Sequence, residues 1–223
     1  MSVRLLQQLD LALLALSSAT CVVCDGPTSK GRCELCQRSA PHRVRTRSGL
    51  PVGCLGPYRG SLKRSIFELK FRGATSKATA LAVALAGRFQ QQLRGKLLVP
   101  VPLHPARLAE RGYNQSALLA RVISRHSQAQ ADCSVLRRRS VRARQASLGR
   151  RERLSNLQGA MQAQRCGEKR QAVVLVDDVV TTGATLDVAA QALRSQGFAV
   201  SGALCCARTP SQSELRAAPT KKQ

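Results

Sequence analysis

VVLVDDVVTTGAT, residues 173–185, is the stretch on which the reading of this chain turns. Ala172–Val176 is a five-residue apolar run, the mark of a strand covered on both faces of a sheet. Asp177 and Asp178 close it. Val179 and Val180 follow, then the turn Thr181, Thr182, Gly183, Ala184 and Thr185, which opens a helix predicted to run to about Ser195. Ligands of open α/β sheets bind beyond the carboxyl ends of the strands. A glycine-containing turn at a helix N-terminus points backbone N–H groups and Thr hydroxyls outward, forming a nest for a phosphate dianion. The two acids, one turn earlier, are placed to reach sugar hydroxyls or a hydrated Mg²⁺ on a ligand whose phosphate fills that nest. The bland alternative is a strand–turn–helix with acids and threonines as caps, and it leaves the thirteen-residue pattern unexplained.

Outward from this segment, strands and helices alternate. Leu62, Ile66 and Leu69 have helical spacing, and an Ala/Leu-rich helix is predicted over 74–93, ending near Gly95. Leu97–Val101 reads as a buried strand closed by Pro100 and Pro102. Asn114 is a candidate cap for a helix reaching about Ser127, with Leu118, Leu119, Val122 and Ile123 inward. Gly197 ends the helix after the nest, and Phe198–Cys206 reads as a further strand. The fold class this implies is α/β, an open, mainly parallel sheet flanked by helices. Three regions are expected: residues 1–49 with an N-terminal helix and a cysteine module, 50–210 as the α/β domain, and 211–223 as a disordered tail. Within the first, residues 37–49 read as a polar connector.

The charge is out of the ordinary. Thirty-six Lys and Arg face 12 Asp and Glu, a net +24 in 223 residues. Such a field favours polyanions: nucleic acid, nucleotide phosphates or an acidic membrane surface. An arginine-rich genome is the other account of it. Eight arginines fall between residues 137 and 153: Arg137, Arg138, Arg139, Arg142, Arg144, Arg150, Arg151 and Arg153. No apolar period runs through them, so an exposed loop or lid is predicted there. At the N-terminus, Leu5, Leu6, Leu9, Leu13 and Leu16 share a helix face, which predicts a short amphipathic helix docked on the body or else a membrane-surface anchor. The apolar core at 11–16 is too short for a secretory segment. No run of about 18 apolar residues is present to span a bilayer.

Nine cysteines, unevenly placed, do not resemble a secreted disulfide framework. Cys21, Cys24, Cys33 and Cys36 form two C-x-x-C pairs, the arrangement that delivers four thiolates to one tetrahedral cation, with Zn²⁺ in a structural role the leading choice. An iron–sulfur cluster and unliganded redox thiols are the other readings. Cys54, Cys133, Cys166, Cys205 and Cys206 stand alone or in apolar runs and read as core residues.

The 173–185 segment resembles the signature by which type I phosphoribosyltransferases bind phosphoribosyl pyrophosphate (PRPP). That resemblance implies that Asp177 and Asp178 are the catalytic pair that holds the ribose hydroxyls, with Mg²⁺ accompanying PRPP. It implies that Val179 and Val180 lead into the loop and that Thr181–Thr185 hold the 5-phosphate. The blocks LKFRG at 69–73, VPVPLH at 99–104, RGYNQ at 111–115 and QASL at 145–148, with Arg151 and Asn156, are similar to signposts of the ComF family, in the family's order. With the cysteines, the resemblance spans roughly residues 5–208. ComF proteins are associated with natural competence and the handling of incoming single-stranded DNA, so it implies a cytoplasmic protein, or one peripheral at the inner membrane face. DNA-uptake helicase and channel proteins are the partners it implies.

His104, Arg107 and Arg111 follow a strand end and would neutralise the pyrophosphate of PRPP; in the other reading Arg111 and Asn114 only anchor the next helix. The arginine-rich 137–153 segment corresponds to the lid of this fold and is also the candidate contact for single-stranded DNA phosphates. The hood that reads a purine or pyrimidine is not evident, its place being taken by the cysteine module and Leu50–Phe71. Three functions stay open: a competence protein handling DNA, an active transferase on a base or nucleotide, and a PRPP sensor without turnover.

Overall fold

The computed structural model describes residues 3–17, 20–28, 33–138, 161–164 and 171–210. In chain order the helices are α1 (Val3–Ser17), α2 (Glu34–Arg38), α3 (Gly60–Phe71), α4 (Thr75–Arg88), α5 (Gln90–Leu93), α6 (Pro105–Arg111), α7 (Gln115–Arg125) and α8 (Ala184–Arg194). The strands are β1 (His42–Arg45), β2 (Pro51–Pro57), β3 (Leu97–Pro100), β4 (Gln130–Ala131), β5 (Leu136–Arg138), β6 (Met161–Ala163), β7 (Val173–Val180) and β8 (Val200–Arg208).

Six strands form one sheet in the order β1-β2-β8-β7-β3-β4. All neighbours in it run parallel except the edge pair β1 and β2. β7 is flanked by β8 and β3, and its apolar residues divide between two cores. Val174 and Val176 join Leu62, Ile66, Leu81, Leu85, Leu119 and Ile123 under α3, α4 and α7. Val173 and Leu175 join Leu186, Ala189 and Leu193 of α8 on the other face. This is the doubly covered parallel sheet that a continuous apolar strand calls for.

Five expectations need correction. β7 runs eight residues, not five, and its ladder to β8 continues through Asp177↔Cys205 and Val179↔Ala207. The acids therefore lie within the strand, because the parallel ladder holds their backbone whatever their side chains prefer. The helix expected over 74–93 breaks at Phe89, whose φ of −115° departs from the helix. Its ring is buried over Gly53, where β2 has no side chain.

Residues 42–45, expected to be connector, form β1. His42 and Val44 are half-buried while Arg43 and Arg45 face solvent, an alternation that suits a cationic edge strand. Arg137 and Arg138, expected in an open loop, belong to β5, where Arg138 pairs with Met161 of β6. The rest of the arginine-rich segment, with Arg139, Arg142, Arg144, Arg150, Arg151 and Arg153, lies outside the described residues, as do Cys166 and the expected tail.

α1 is docked, but by a different face. Asp10 and Leu14 are buried, whereas Leu5 and Leu9 are each 46% exposed. The orientation is set by charge: Asp10 accepts from Arg125 Nε at 2.9 Å and Nη2 at 3.1 Å, and lies 3.1 Å from His126 Nε2. No described helix is long and apolar enough to cross a membrane.

The contact between Phe89 and β2 can be tested. A Cβ added at Gly53 would stand 2.5 Å from the Phe89 ring and 2.9 Å from Leu204 Cδ2. Gly53→Ala is expected to cost about 1–3 kcal/mol through overpacking. Urea unfolding should show it, and Phe89→Leu in the same chain should recover part of the loss.

Candidate active site and metal centre

At the carboxyl end of β7 the two acids take different partners. Asp178 is buried; its Oδ1 pairs with Lys70 Nζ at 2.7 Å, and its Oδ2 accepts from Gln115 Nε2 at 2.6 Å. Asp177 Oδ1 accepts from Ser116 Oγ and from the Asp178 N–H, both at 2.9 Å. Behind this layer Arg111 Nη1 donates to Gln115 Oε1 at 3.1 Å, and the Tyr113 hydroxyl donates to the Leu69 carbonyl. Lys70 comes from the LKFRG block and Gln115 from RGYNQ, so two distant segments meet on one carboxylate.

The loop after β7 has the form expected of a phosphate nest. Gly183, with φ +79°, sits at the N-terminus of α8 in the left-handed region that glycine tolerates. The Asp187 N–H is the one bonded back to Gly183, and the Ala184 N–H lies 3.4 Å from Thr182 Oγ1. Thr181 and Thr182 are exposed, and Thr185 is half-buried. Val179 and Val180 turn their side chains into the two cores, so they can serve a ligand only through their backbone.

A further constraint at this loop comes from the turn between β1 and β2. A Cβ on Gly183 would stand 2.5 Å from Thr46 Cγ2. Thr46 is held there by Asp187, which accepts from Thr46 Oγ1, from Ser48 Oγ at 2.5 Å and from the Ser48 N–H at 3.3 Å.

Of the three cations expected near the pyrophosphate, Arg111 is the most committed. It stacks over Phe71, 4.9 Å from the ring centroid, and its Nε is buried without a hydrogen-bond partner. Arg107 lies close enough to Arg138 for the two charges to oppose each other. The Arg138 guanidinium is lowered first by burial and then by Arg107, while Asp177 raises it. Arg138 thus feels the charge of both a second arginine and Asp177. His104 is exposed and caps α6, its Nδ1 accepting from the Ala106 N–H at 3.3 Å.

Sequence reasoning missed Lys70, Gln115, Ser116, Thr46 and Asp187. Lys70 and Gln115 stood inside the quoted blocks, and a count of which buried acids need partners would have singled them out. Thr46 and Asp187 gave no local signal.

The four expected cysteine ligands come together, their sulfurs all within 4.8 Å of one another. A tetrahedron with Zn–S bonds of about 2.3 Å has edges near 3.8 Å, and Cys24 Sγ to Cys33 Sγ is 3.5 Å. The set fits a metal ion. Its first turn is tight: Asp25 has φ +62°, and the Val23 N–H donates to Cys21 Sγ at 3.4 Å. Arg88 of α4 fastens the second pair by donating to the carbonyls of Cys36 at 3.0 Å and Ala40 at 2.8 Å.

Burial, and secondly the charge of Asp178, push the Asp177 carboxyl up to about 7, while the Asp178 N–H, Ser116 and Lys70 oppose the rise. A raised carboxyl favours the fold while it is neutral. Its contribution is therefore full below about 4, the unfolded value, and is lost as pH rises through about 7. Asp177→Asn should flatten the dependence of the melting temperature on pH between 4 and 7 and leave the ligand-free protein more stable than native at pH 8. A parallel loss in both proteins would contradict this.

Comparison with known proteins identifies the family. The phosphoribosyl transferase domain family matches residues 81–222. The DNA utilization protein YhgH of Escherichia coli K12 is 34% identical over 210 residues, covering 85% of this chain and 90% of that protein. The competence protein ComFC of Bacillus subtilis is 29% identical over 186 residues, covering 81% and 74%. The competence protein F of Haemophilus influenzae is 34% identical over 151 residues, covering 64% and 66%. The chain belongs to the phosphoribosyl transferase domain family, in the ComF-like group to which the acid pair, the glycine nest and the converging blocks all point.

Proposed function

We propose that this protein binds PRPP and handles single-stranded DNA in a competence or DNA-utilization role. The observation that carries the first half is the acid pair held at the end of β7, three residues ahead of the nest that opens α8. In this reading Asp177 and Asp178 accept from the ribose hydroxyls, and Thr181–Thr185 surround the 5-phosphate. Arg111, Arg107 and Arg138 face the pyrophosphate, with His104 at the edge of that group. Mg²⁺, when bound with PRPP, would offset the charge of the pyrophosphate. The buried, unpaired Arg111 Nε is a donor waiting for an anion.

The same cations favour departure of pyrophosphate, since charge that develops on a leaving group is stabilised by donors already in place. That supports a second reading, an active transferase to a base or nucleotide acceptor. It is distinguished from a PRPP sensor by release of pyrophosphate.

The DNA half rests on the names of the relatives and on the net charge of +24. Arg137 and Arg138, with the arginines that follow them, are the proposed phosphate contacts. Binding through them would be electrostatic and indifferent to sequence. The competence helicase and channel are the proposed protein partners. The setting is the cytoplasm, with the exposed Leu5, Leu9 and Leu11 of α1 available for contact at the inner membrane face.

The four cysteines hold Zn²⁺ in this reading, as a closed structural site. Metal analysis of purified protein should give about one zinc per chain, falling toward zero in Cys33→Ser/Cys36→Ser; full retention would exclude the assignment.

PRPP binding is tested by calorimetry with Mg²⁺ present. Asp177→Asn/Asp178→Asn removes the charged acceptors and is expected to weaken PRPP by at least about tenfold. Gly183→Val fills the space held by Thr46 and should abolish binding. Undiminished affinity in either folded variant would overturn the reading.

A further inference from the structure

The outer face of α3 carries Lys63, Phe67 and Phe71 at positions i, i+4 and i+8, so the three stand in line along the helix. Phe67 is 44% exposed and Phe71 57%. Their ring centroids are 4.9 Å apart with the planes tilted by 44°. The chain has four Phe, two Tyr and no Trp. Tyr58, Tyr113, Phe89 and Phe198 are buried or half-buried, which leaves these two rings as the exposed aromatics. A protein with so few aromatics has set two side by side in water, where burial would have contributed about 2 kcal/mol each.

The pair does not stand alone. Arg111 lies against Phe71, and Lys70, the preceding residue on the helix, holds Asp178. Lys63 and Arg72 are exposed at the two ends of the line. Cations interleaved with exposed rings are what a single strand of nucleic acid requires, since bases stack on aromatic faces while phosphates meet the charges. The cleft beside Phe71 and Arg111 holds only about 140 Å³. A free base or nucleotide would be enclosed by a concave pocket several times that size, whereas an open helix face suits a strand that lies across it.

We propose that this face of α3 is a base-stacking platform for single-stranded DNA. Bases stack on Phe71 and Phe67, and Lys63 and Arg72 meet the flanking phosphates. The strand would thereby be led to the mouth of the PRPP site. The proposal rests on the DNA-handling reading above and adds the place and the mode of contact.

Fluorescence anisotropy with a labelled oligo-dT strand, and with an abasic strand of the same length, tests it on the full-length protein. Native protein should bind oligo-dT about tenfold or more tightly than the abasic strand. Phe67→Leu/Phe71→Leu keeps apolar bulk but removes the rings. It should lose that preference while the slope of log affinity against log salt stays unchanged, because the phosphate contacts remain. Phe71→Trp should keep the preference. Both positions are exposed, so the melting temperature of each variant should stay close to native.

Equal binding of the two strands by native protein overturns the platform and leaves the DNA-handling reading standing, as does full oligo-dT preference in the leucine variant. Binding of neither strand overturns both. A native dimer that dissociates in the leucine variant, seen by sedimentation, identifies the face as a contact between copies and overturns the platform.

Discussion

Two carboxylates on consecutive residues at the end of a buried parallel strand are the constraint to which the rest of this fold answers. Like charges so close disfavour joint ionisation, and burial disfavours each singly. β7 cannot relieve them by bending away, since its ladder with β8 continues past both acids. Relief comes from elements far apart in sequence. α3 brings Lys70 and the start of α7 brings Gln115 and Ser116, while Tyr113 ties α3 to the approach of α7 through the Leu69 carbonyl. Even so Asp177 is left with its carboxyl raised to about 7. The pair is thus only partly offset by the protein's own donors and by the Lys70 cation.

The 173–185 segment was legible because its chemistry is local: a buried strand, two acids and a nest follow one another within thirteen residues. The four cysteines were legible for the same reason, since each C-x-x-C is a single turn. The errors fall where contacts between distant residues overrode local pattern. Phe89 looked like one more residue of an Ala/Leu helix until its ring met Gly53. The leucines of α1 promised one docked face, but Asp10 reaching Arg125 and His126 rotated another inward. β1 was hidden by its polar composition, which is what a solvent-facing edge strand carries. Lys70, Gln115 and Ser116 are ordinary polar residues in sequence and become site residues only when the fold sets them against buried acids.

The front of the chain bears on the site through one hairpin. Five residues lie between Cys36 and His42, and Arg88 grips the carbonyls of Cys36 and Ala40 from α4. The four-cysteine cluster therefore fixes where β1 begins. β1 ends at Arg45; the methyl of the next residue, Thr46, lies against Gly183, and Asp187 in the first turn of α8 clamps that contact through Thr46 and Ser48. A residue larger than glycine at 183 would meet Thr46, and a shift of β1 would move Thr46 off the nest. The cysteine cluster and the glycine turn at 183 thus bracket the same short strand. A structural metal at one end would set the position of the loop at the other. On this geometry the cysteine module holds the hairpin whose turn packs against Gly183.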